Sequence, residues 1–476
     1  MSWTPPAFSF SSSTPSQCLS LELHSDKEYP TNFARSAKWS PDGLSVLAHS
    51  ENRTFQVFDM CVCTISSLFV ESCVYSPDSA HLHETLPPGQ SNAHLVSTLL
   101  HQPSPIIDYL WYPTATRHDP ASYCFLASVR ECPVKLLDAS TGRLRASYKI
   151  VDHRERQVAP HCMAFNLTAS RLYCGFEDAI EVFDINRPGE GTRMHTTPSK
   201  KSKDGLKGII SALAFSPGAS YPDTYYAAGS LTPVSHNIVL YSESQGDAPV
   251  MFIGGGVGRN SPSYGGVVQL RFNPLKPHIL YASFRSRHAH GHIYAWDLRM
   301  SDSGESNPPY QVFQTSSGPS QQKASIQAKE TNYNQKLFFD VDVTGKWLSV
   351  GDQFGQISVF DLDSDLDASS QGDSMGSIQQ QLPEQDVLHP SCRFEAHIDA
   401  VSSTCLNPCF PLLLSTSGSR RFVEDLGDVG DEVRHRNDAN EHEVVNVGLE
   451  EHDADSLVGD LRPITLDSSV KVWWSG

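Results

Sequence analysis

No apolar run in this sequence approaches the ~20 residues needed to span a bilayer. Its first residues, Met1-Ser2-Trp3-Thr4-Pro5-Pro6, show no charged start leading into an apolar stretch, so no secretory signal peptide is expected. Cys-x-x-Cys pairs are absent. The eleven cysteines are odd in number and scattered from Cys18 to Cys409, which excludes a disulfide framework or zinc ribbon as the organising device. A soluble, intracellular chain is therefore expected, with no membrane contact. Basic charge is in short supply: 36 Lys and Arg stand against 54 Asp and Glu, for a net charge of −18. A chain this acidic cannot attract nucleic acid by bulk electrostatics, so any nucleic-acid site must be a local basic patch. Sustained helical periodicity is missing as well.

What is present is apolar residues and turns. Hydrophobic residues make up 39% of the 476, enough to bury a core and exclude global disorder. Glycine and proline, 31 of each, imply many turns between short elements. The length suggests two or three domains, or one repeat architecture.

Repeats decide between these. Short β-rich runs end in a large apolar residue and Asp: Phe55-Gln56-Val57-Phe58-Asp59, Val134-Lys135-Leu136-Leu137-Asp138 and Ile180-Glu181-Val182-Phe183-Asp184. Ile238-Val239-Leu240-Tyr241-Ser242 is a degenerate fourth. Ile293 to Asp297, Ile357 to Asp361 and Val470 to Trp474 complete seven. Each follows an alternating strand, a Pro- or Gly-bearing turn and a small apolar strand, as in Ala37-Lys38-Trp39-Ser40-Pro41-Asp42-Gly43 before Ser45 to Ser50. The other leading signatures begin at Tyr109, Cys162, Leu213, Leu270, Phe338 and Thr404, in strict order with the closing ones. This ordered set is the pattern of WD repeats, four strands per blade. The seventh closing strand is followed only by Ser475-Gly476, whereas Leu19 to His24 alternates ahead of the first complete blade. The expected fold is all-β: a single seven-bladed WD-repeat β-propeller, its ring closed by an N-terminal strand pairing with the C-terminal blade, which removes an exposed edge.

The expected organisation is a disordered segment over 1–17 and the propeller over 18–476. WD blades run ~40–45 residues, yet Asp297 and Asp361 lie 64 apart and Asp361 and Trp474 lie 113 apart. The excess is assigned to low-complexity loop inserts near 61–90, 301–330 and 364–385, and to an acidic insert over 424–460. That acidic insert holds 13 Asp or Glu against Arg434 and Arg436, concentrating −11 of the total −18 in one loop.

Loop order assigns faces. Connections between second and third strands emerge on the same face as those from an outer strand to the next blade. Arg53, Arg130, Arg285, Arg287, Arg420 and Arg421 fall in the first kind of loop; Lys200, Lys201, Lys203, Lys207 and Arg259 fall in the second. Tyr264, Phe354 and Phe422 lie on the same loops. A basic rim with stackable rings suits looped RNA, whose recognition combines phosphate contacts and base stacking. Candidate RNA-binding residues are Arg130, Lys200, Lys201, Lys203, Lys207, Arg285, Arg287, Arg420, Arg421 and Phe422. The ordinary alternative is unspecialised surface charge.

Catalytic and metal motifs do not hold up. Phe252 to Gly258 lacks the Gly-Lys-Ser/Thr of a phosphate loop and the third Gly of a dinucleotide fingerprint. His442-Glu443-Val444-Val445-Asn446 has Asn where a zincin helix needs its second His. His288, His290 and His292 alternate along one segment but have no clear fourth ligand nearby. No Gly-x-Ser-x-Gly elbow occurs. The expectation is a non-enzyme without metal or cofactor.

Loop residues that propeller packing does not require carry a further resemblance. Ile106-Ile107-Asp108-Tyr109-Leu110-Trp111-Tyr112 and Ala127-Ser128-Val129-Arg130-Glu131-Cys132-Pro133-Val134, leading into Asp138 to Ser147, resemble the second blade of the telomerase Cajal body protein family. Similar stretches are Val182 to Gly189, Gly208 to Pro217, Tyr294 to Arg299, Gln335 to Asp340 and Ser417-Gly418-Ser419-Arg420-Arg421-Phe422, so the likeness runs from about residue 30 to 476. The resemblance implies an RNA-binding scaffold that recognises a loop box of H/ACA-type small Cajal body RNAs and of telomerase RNA, supporting their localisation and ribonucleoprotein biogenesis. It implies H/ACA ribonucleoprotein and telomerase components as partners, folding by a cytosolic chaperonin, a monomer, and residence in a Cajal body or equivalent nuclear body with a cytoplasmic pool. Arg130, Arg420, Arg421, Lys200 and Lys201 stand at family-like positions. The acidic and Ser/Gln-rich inserts depart from the family pattern. The competing class is a WD-repeat protein–protein scaffold that binds no RNA.

Overall fold

The computed structural model describes residues 4–11, 14–60, 97–199, 202, 204–218, 224–234, 236–254, 264–285, 292–300, 308–315, 335–363, 386–420 and 465–476. Their strands form seven antiparallel four-stranded units arranged as a seven-bladed β-propeller. Blade one is Ala34–Trp39, Ser45–Ser50, Thr54–Asp59 and Ser97–His101, running from the inner strand to the outer. All seven closing runs, five of them ending in Asp, are third strands of their blades. Each is a period-two segment whose inward residues, such as Phe55, Val57, Ile180 and Val359, are buried between adjacent blades. Among the described residues no helix is long and apolar enough to cross a membrane.

The ring closes as the alternation at the N-terminus implied, with the strand at Ser16–Leu21. It pairs antiparallel with Val470–Trp474, Leu21 opposite Val470 and Leu19 opposite Val472. Blade seven is thus Val401–Leu406, Leu412–Ser417, Val470–Trp474 and Ser16–Leu21. Leu21 packs into a cluster shared with Val472 of blade seven and Ala37 and Val46 of blade one, so closure joins both ends of the ring.

Two expectations about polar segments need correction. The expected disorder through residue 17 does not extend to Phe10, which is buried edge-on against Trp347 with ring centroids 5.2 Å apart, or to Ser16 and Gln17, which lie in the closing strand. Two apolar rings outweigh the surrounding serines and prolines once a blade interface is there to receive them. Within the expected loop near 301–330, Gln311–Gln314 is the outer strand of blade five and buries Phe313. Asp386–Leu388 pairs parallel to it on the outside. Outer strands are half polar and short, so their composition reads as loop. The inserts at 61–90, 364–385 and 424–460 lie outside the described residues.

The Asn/Ser-Pro turns after the inner strands tie one blade to the next on a single face. Asn273 Nδ2 donates to the Gly345 carbonyl at 2.8 Å, Asn407 Nδ2 to the Gly43 carbonyl at 2.9 Å, and Ser216 Oγ to the Pro277 carbonyl at 3.1 Å. In the first two turns the Asn Oδ1 also caps backbone amides two and three residues on. This face is built for cohesion. The opposite face carries the second-to-third-strand loops.

On that opposite face blade seven is held by a buried polar chain. Trp473 Nε1 donates to Ser415 Oγ at 2.8 Å; Ser415 donates to His397 Nε2 at 2.7 Å; His397 Nδ1 donates to Asp467 at 3.3 Å. This tautomer satisfies every member. Burial lowers the pKa of the His397 ring. Asp467, although desolvated, is held below the usual carboxylate range by His397, Ser469 and backbone amides.

Candidate nucleic-acid interface

The face opposite the Asn-Pro turns opens onto the axis of the ring, where inner strands surround a cavity of about 780 Å³. Five cationic side chains line it, Arg35, Lys38, Arg130, Arg271 and Lys336, against two carboxylates, Asp108 and Asp340. In a chain of net charge −18 this is a local reversal of sign.

The charges are graded along the axis. Deep in the cavity they are matched. Arg271 Nη1 lies 2.6 Å from Asp340 Oδ1, and Asp340 Oδ2 accepts the Leu406 amide at 2.8 Å. Lys38 Nζ donates to the Tyr109 carbonyl at 2.6 Å, sits 4.4 Å from the centre of the Tyr109 ring and lies 4.0 Å from Asp108. Asp108 accepts the Tyr109 and Met163 amides at 2.8 and 2.9 Å. Burial raises the pKa of both carboxyls, opposed by their basic neighbours.

The mouth is different. Arg130 projects from the loop between the second and third strands of blade two and is exposed. Lys336 and His161 precede the inner strands of blades six and three. Burial, and then Lys336 and Arg130, lower the pKa of the His161 ring, with Glu177 opposing, so the ring is neutral at pH 7 and can accept or donate. On the other side of the mouth, Glu51 sits between two arginines: Arg35 at 3.3 Å and Arg420 in direct contact. Gly418 sets the approach of Arg420. Its φ is +145°, and a Cβ there would lie 2.5 Å from the Phe33 ring, so only glycine fits. Its carbonyl accepts Gln335 Nε2 at 2.7 Å, coupling the chain before Lys336 to the loop that carries Arg420.

The structure brings Arg130 and Arg420 to this face, as the loop order implied. Arg420 is shared with Glu51, so its charge is partly cancelled. Lys207 is half-buried in the connection before blade four, and its backbone carbonyl accepts Ser230 Oγ. Arg285 is exposed but is the last residue of a second strand, Ile279–Arg285, not a loop residue. Lys200, Lys201, Lys203, Arg287, Arg421 and Phe422 lie outside the described residues, as do Arg259, His288 and His290. Of the proposed stacking rings, Tyr264 is half-buried and packs against Tyr294 at 4.8 Å and against Phe284 and Trp296 at the edge of a core cluster. The pull of three neighbouring rings outweighs the loop position that suggested exposure. His292 begins the strand His292–Asp297, and no group of three His, Cys, Asp or Glu placed to hold a metal occurs among the described residues.

Arg35, Lys38, His161 and Lys336 were not singled out by loop position. Their signal is a basic or imidazole side chain in, or just ahead of, an otherwise apolar inner strand, which in a propeller borders the axis.

No family model matches the chain. Among curated proteins it is similar to telomerase Cajal body protein 1 of Homo sapiens, 28% identical over 450 residues, covering 94% of this chain and 64% of that protein. The telomerase Cajal body protein 1 homolog of Drosophila melanogaster is 24% identical over 402 residues, covering 84% and 60%. This bears out the resemblance to the telomerase Cajal body proteins. The chain spans less than two thirds of the length of these relatives. A shorter match, 30% identical over 192 residues, is to the guanine nucleotide-binding protein negative regulator 1 of Schizosaccharomyces pombe, covering 40% of this chain and 44% of that protein. With the seven-bladed fold, the chain is a WD-repeat β-propeller similar to proteins named for telomerase and the Cajal body.

Proposed function

We propose that this chain is a non-enzymatic RNA-binding scaffold that recognises a loop box of H/ACA-type small Cajal body RNAs and telomerase RNA. The observation that carries the reading is the sign reversal at the axial cavity, five cations against two carboxylates in a chain of −18. Such a patch draws phosphate locally while the acidic remainder repels bulk nucleic acid. The names of the relatives support a link to telomerase and a nuclear location; H/ACA ribonucleoprotein and telomerase components are the partners, a cytosolic chaperonin assists folding, a cytoplasmic pool exists, and the chain acts as a monomer.

Crosslinking the tagged protein in its own cells and sequencing the attached RNA tests this. H/ACA-type RNAs and telomerase RNA, clustered at one hairpin loop, are the expected yield. Background RNA alone overturns the reading and leaves a peptide-binding scaffold. In vitro, changing Arg420 and Arg421 to Glu is expected to weaken RNA binding about tenfold or more and to flatten its salt dependence by about one to two units of log–log slope.

Arg420 and Thr465, the nearest described residues on either side of the acidic insert, lie on this same face, with Thr465 Oγ1 donating to the Ser419 carbonyl. Removing residues 424–460 is expected to raise affinity for random RNA by roughly three- to tenfold at low salt, since like charge near a site selects against non-specific binding. Unchanged affinity would show the insert to be a solubilising loop only.

A further inference from the structure

The charge at the cavity mouth is not used up by the fold. Deep in the cavity, Arg271 is matched by Asp340 and Lys38 by Asp108, the Tyr109 carbonyl and the Tyr109 ring. At the rim, Glu51 serves both Arg35 and Arg420. Arg130 and Lys336 make no ion pair among the described residues, yet both line the same cavity as His161 and both act on its ring. Asp108, the carboxylate on which Lys336 acts, already pairs with Lys38, so cations at this mouth are not matched one for one and their repulsion opposes folding. A core selected only for stability would place a neutral residue at one of the two positions.

The two ends of the cavity also differ. The end bordered by Pro41, Pro113, Phe165, Phe215 and Pro408 lies among the turns that tie the blades together, and its nearest cations, Lys38 and Arg271, are paired with Asp108 and Asp340. The end bordered by Arg130, His161 and Lys336 is cationic and open to the loop face. An anionic ligand is therefore drawn to the loop-face end. A guanidinium, an ammonium and a neutral imidazole together offer directional donors and point charge to a tetrahedral oxyanion.

We infer that Arg130, His161 and Lys336 form a phosphate-binding site at the mouth of the axial cavity. The site takes one phosphate of a larger phosphate-bearing ligand, which is either a single-stranded RNA backbone or a free small polyphosphate. It lies closer to the axis than the rim residues expected from loop position. It does not depend on the ligand being RNA, so it stands or falls separately from the function proposed above.

The test uses the full chain and two probes, a 12-nucleotide single-stranded RNA and inorganic pyrophosphate, with affinities measured by calorimetry at low salt. Two variants are compared with the unaltered chain: the double variant R130Q/K336M and the control R143Q. Arg143 is exposed between the third and outer strands of blade two and does not line the cavity. The double variant is expected to lose about 30-fold or more in affinity for at least one probe, roughly a charge-assisted contact at each position. R143Q is expected to lose less than about threefold. If the RNA binds, pyrophosphate competes with it, and the double variant loses both, the phosphate is that of an RNA backbone. Should only pyrophosphate bind, and only through Arg130 and Lys336, the ligand is a free polyphosphate; the site then stands while the RNA reading fails.

Equal affinities of the double variant and the unaltered chain for both probes overturn the site, whatever RNA is recovered from cells. So does failure of both probes to bind. A melting temperature for the double variant equal to or above that of the unaltered chain shows it to be folded. Both substitutions remove repulsion, so that is the expected result. If that variant fails to fold, K336Q alone, expected to lose about tenfold, replaces it.

Discussion

Changing Leu21 to Asp is expected to cost about 3–5 kcal/mol of stability, while changing Leu144 to Asp costs under about 0.5 kcal/mol. Both leucines lie in outer strands, of blades seven and two. Leu21 is 2% exposed and Leu144 58%. Aspartate at position 21 would place an unpaired carboxylate among Val470, Val472, Ala37 and Val46 and strip apolar contact from the one seam that joins the two ends of the chain. Outer strands elsewhere are covalently continuous with their blade through the third strand. This one is held to its third strand by pairing and packing rather than by chain continuity, and it adds to contacts between blades seven and one such as Asn407 with Gly43 and Arg420 with Glu51. Denaturant unfolding of the two variants checks the contrast, and limited proteolysis near residue 22 reports opening of the ring directly. Equal losses from the two substitutions would mean that the ring does not depend on this seam.

Acid is expected to destabilise the fold well above the carboxylate range. His49 is buried against Phe55 and Tyr109, and burial, then the charges of Arg35 and Lys38, push its pKa down to about 3. Between pH 6.5 and 3 the unfolded chain binds a proton at this position that the folded chain refuses. Stability therefore falls as pH falls, by up to about 1.4 kcal/mol per pH unit from this group, or roughly 3–5 kcal/mol over the whole window. His397, also lowered, adds in the same direction. Asp467 is held low in the folded state, so its contribution is likewise lost on acidification. Changing His49 to Gln is expected to lower stability at pH 7.5 but to remove about one proton from the slope of stability against pH between 6 and 4. Denaturant midpoints measured across that range decide it. An unchanged slope would show that His49 titrates normally.

The second-blade motif illustrates how far local pattern reaches. Ile106 to Trp111 alternates because one side of an inner strand faces a neighbouring blade, and the structure places Ile106, Tyr109 and Trp111 in one buried cluster with Phe55 of blade one. The same motif contains Asp108, a polar residue in an apolar frame. Its partners, Lys38 and the Met163 amide, lie 70 and 55 residues away, and no local pattern discloses them. Arg420 was legible as a loop-face cation, but its contact with Glu51 was not. That contact arises because blade seven abuts blade one when the ring closes.

The sequence by itself determined the number of blades, the identity of every third strand and the closure by an N-terminal strand. Alternation of period two, Asp-ended runs and Asn-Pro or Gly turns are local signals, and closure follows from the cost of a bare strand edge. Tertiary structure alone decided which charges survive. Arg130, His161 and Lys336 come from three different blades and border one cavity only because the blades share one axis, while Arg271 and Lys38, no less basic in sequence, are neutralised there by Asp340 and Asp108. Electrostatic interaction depends on distance in space, and a closed ring sets those distances independently of separation along the chain.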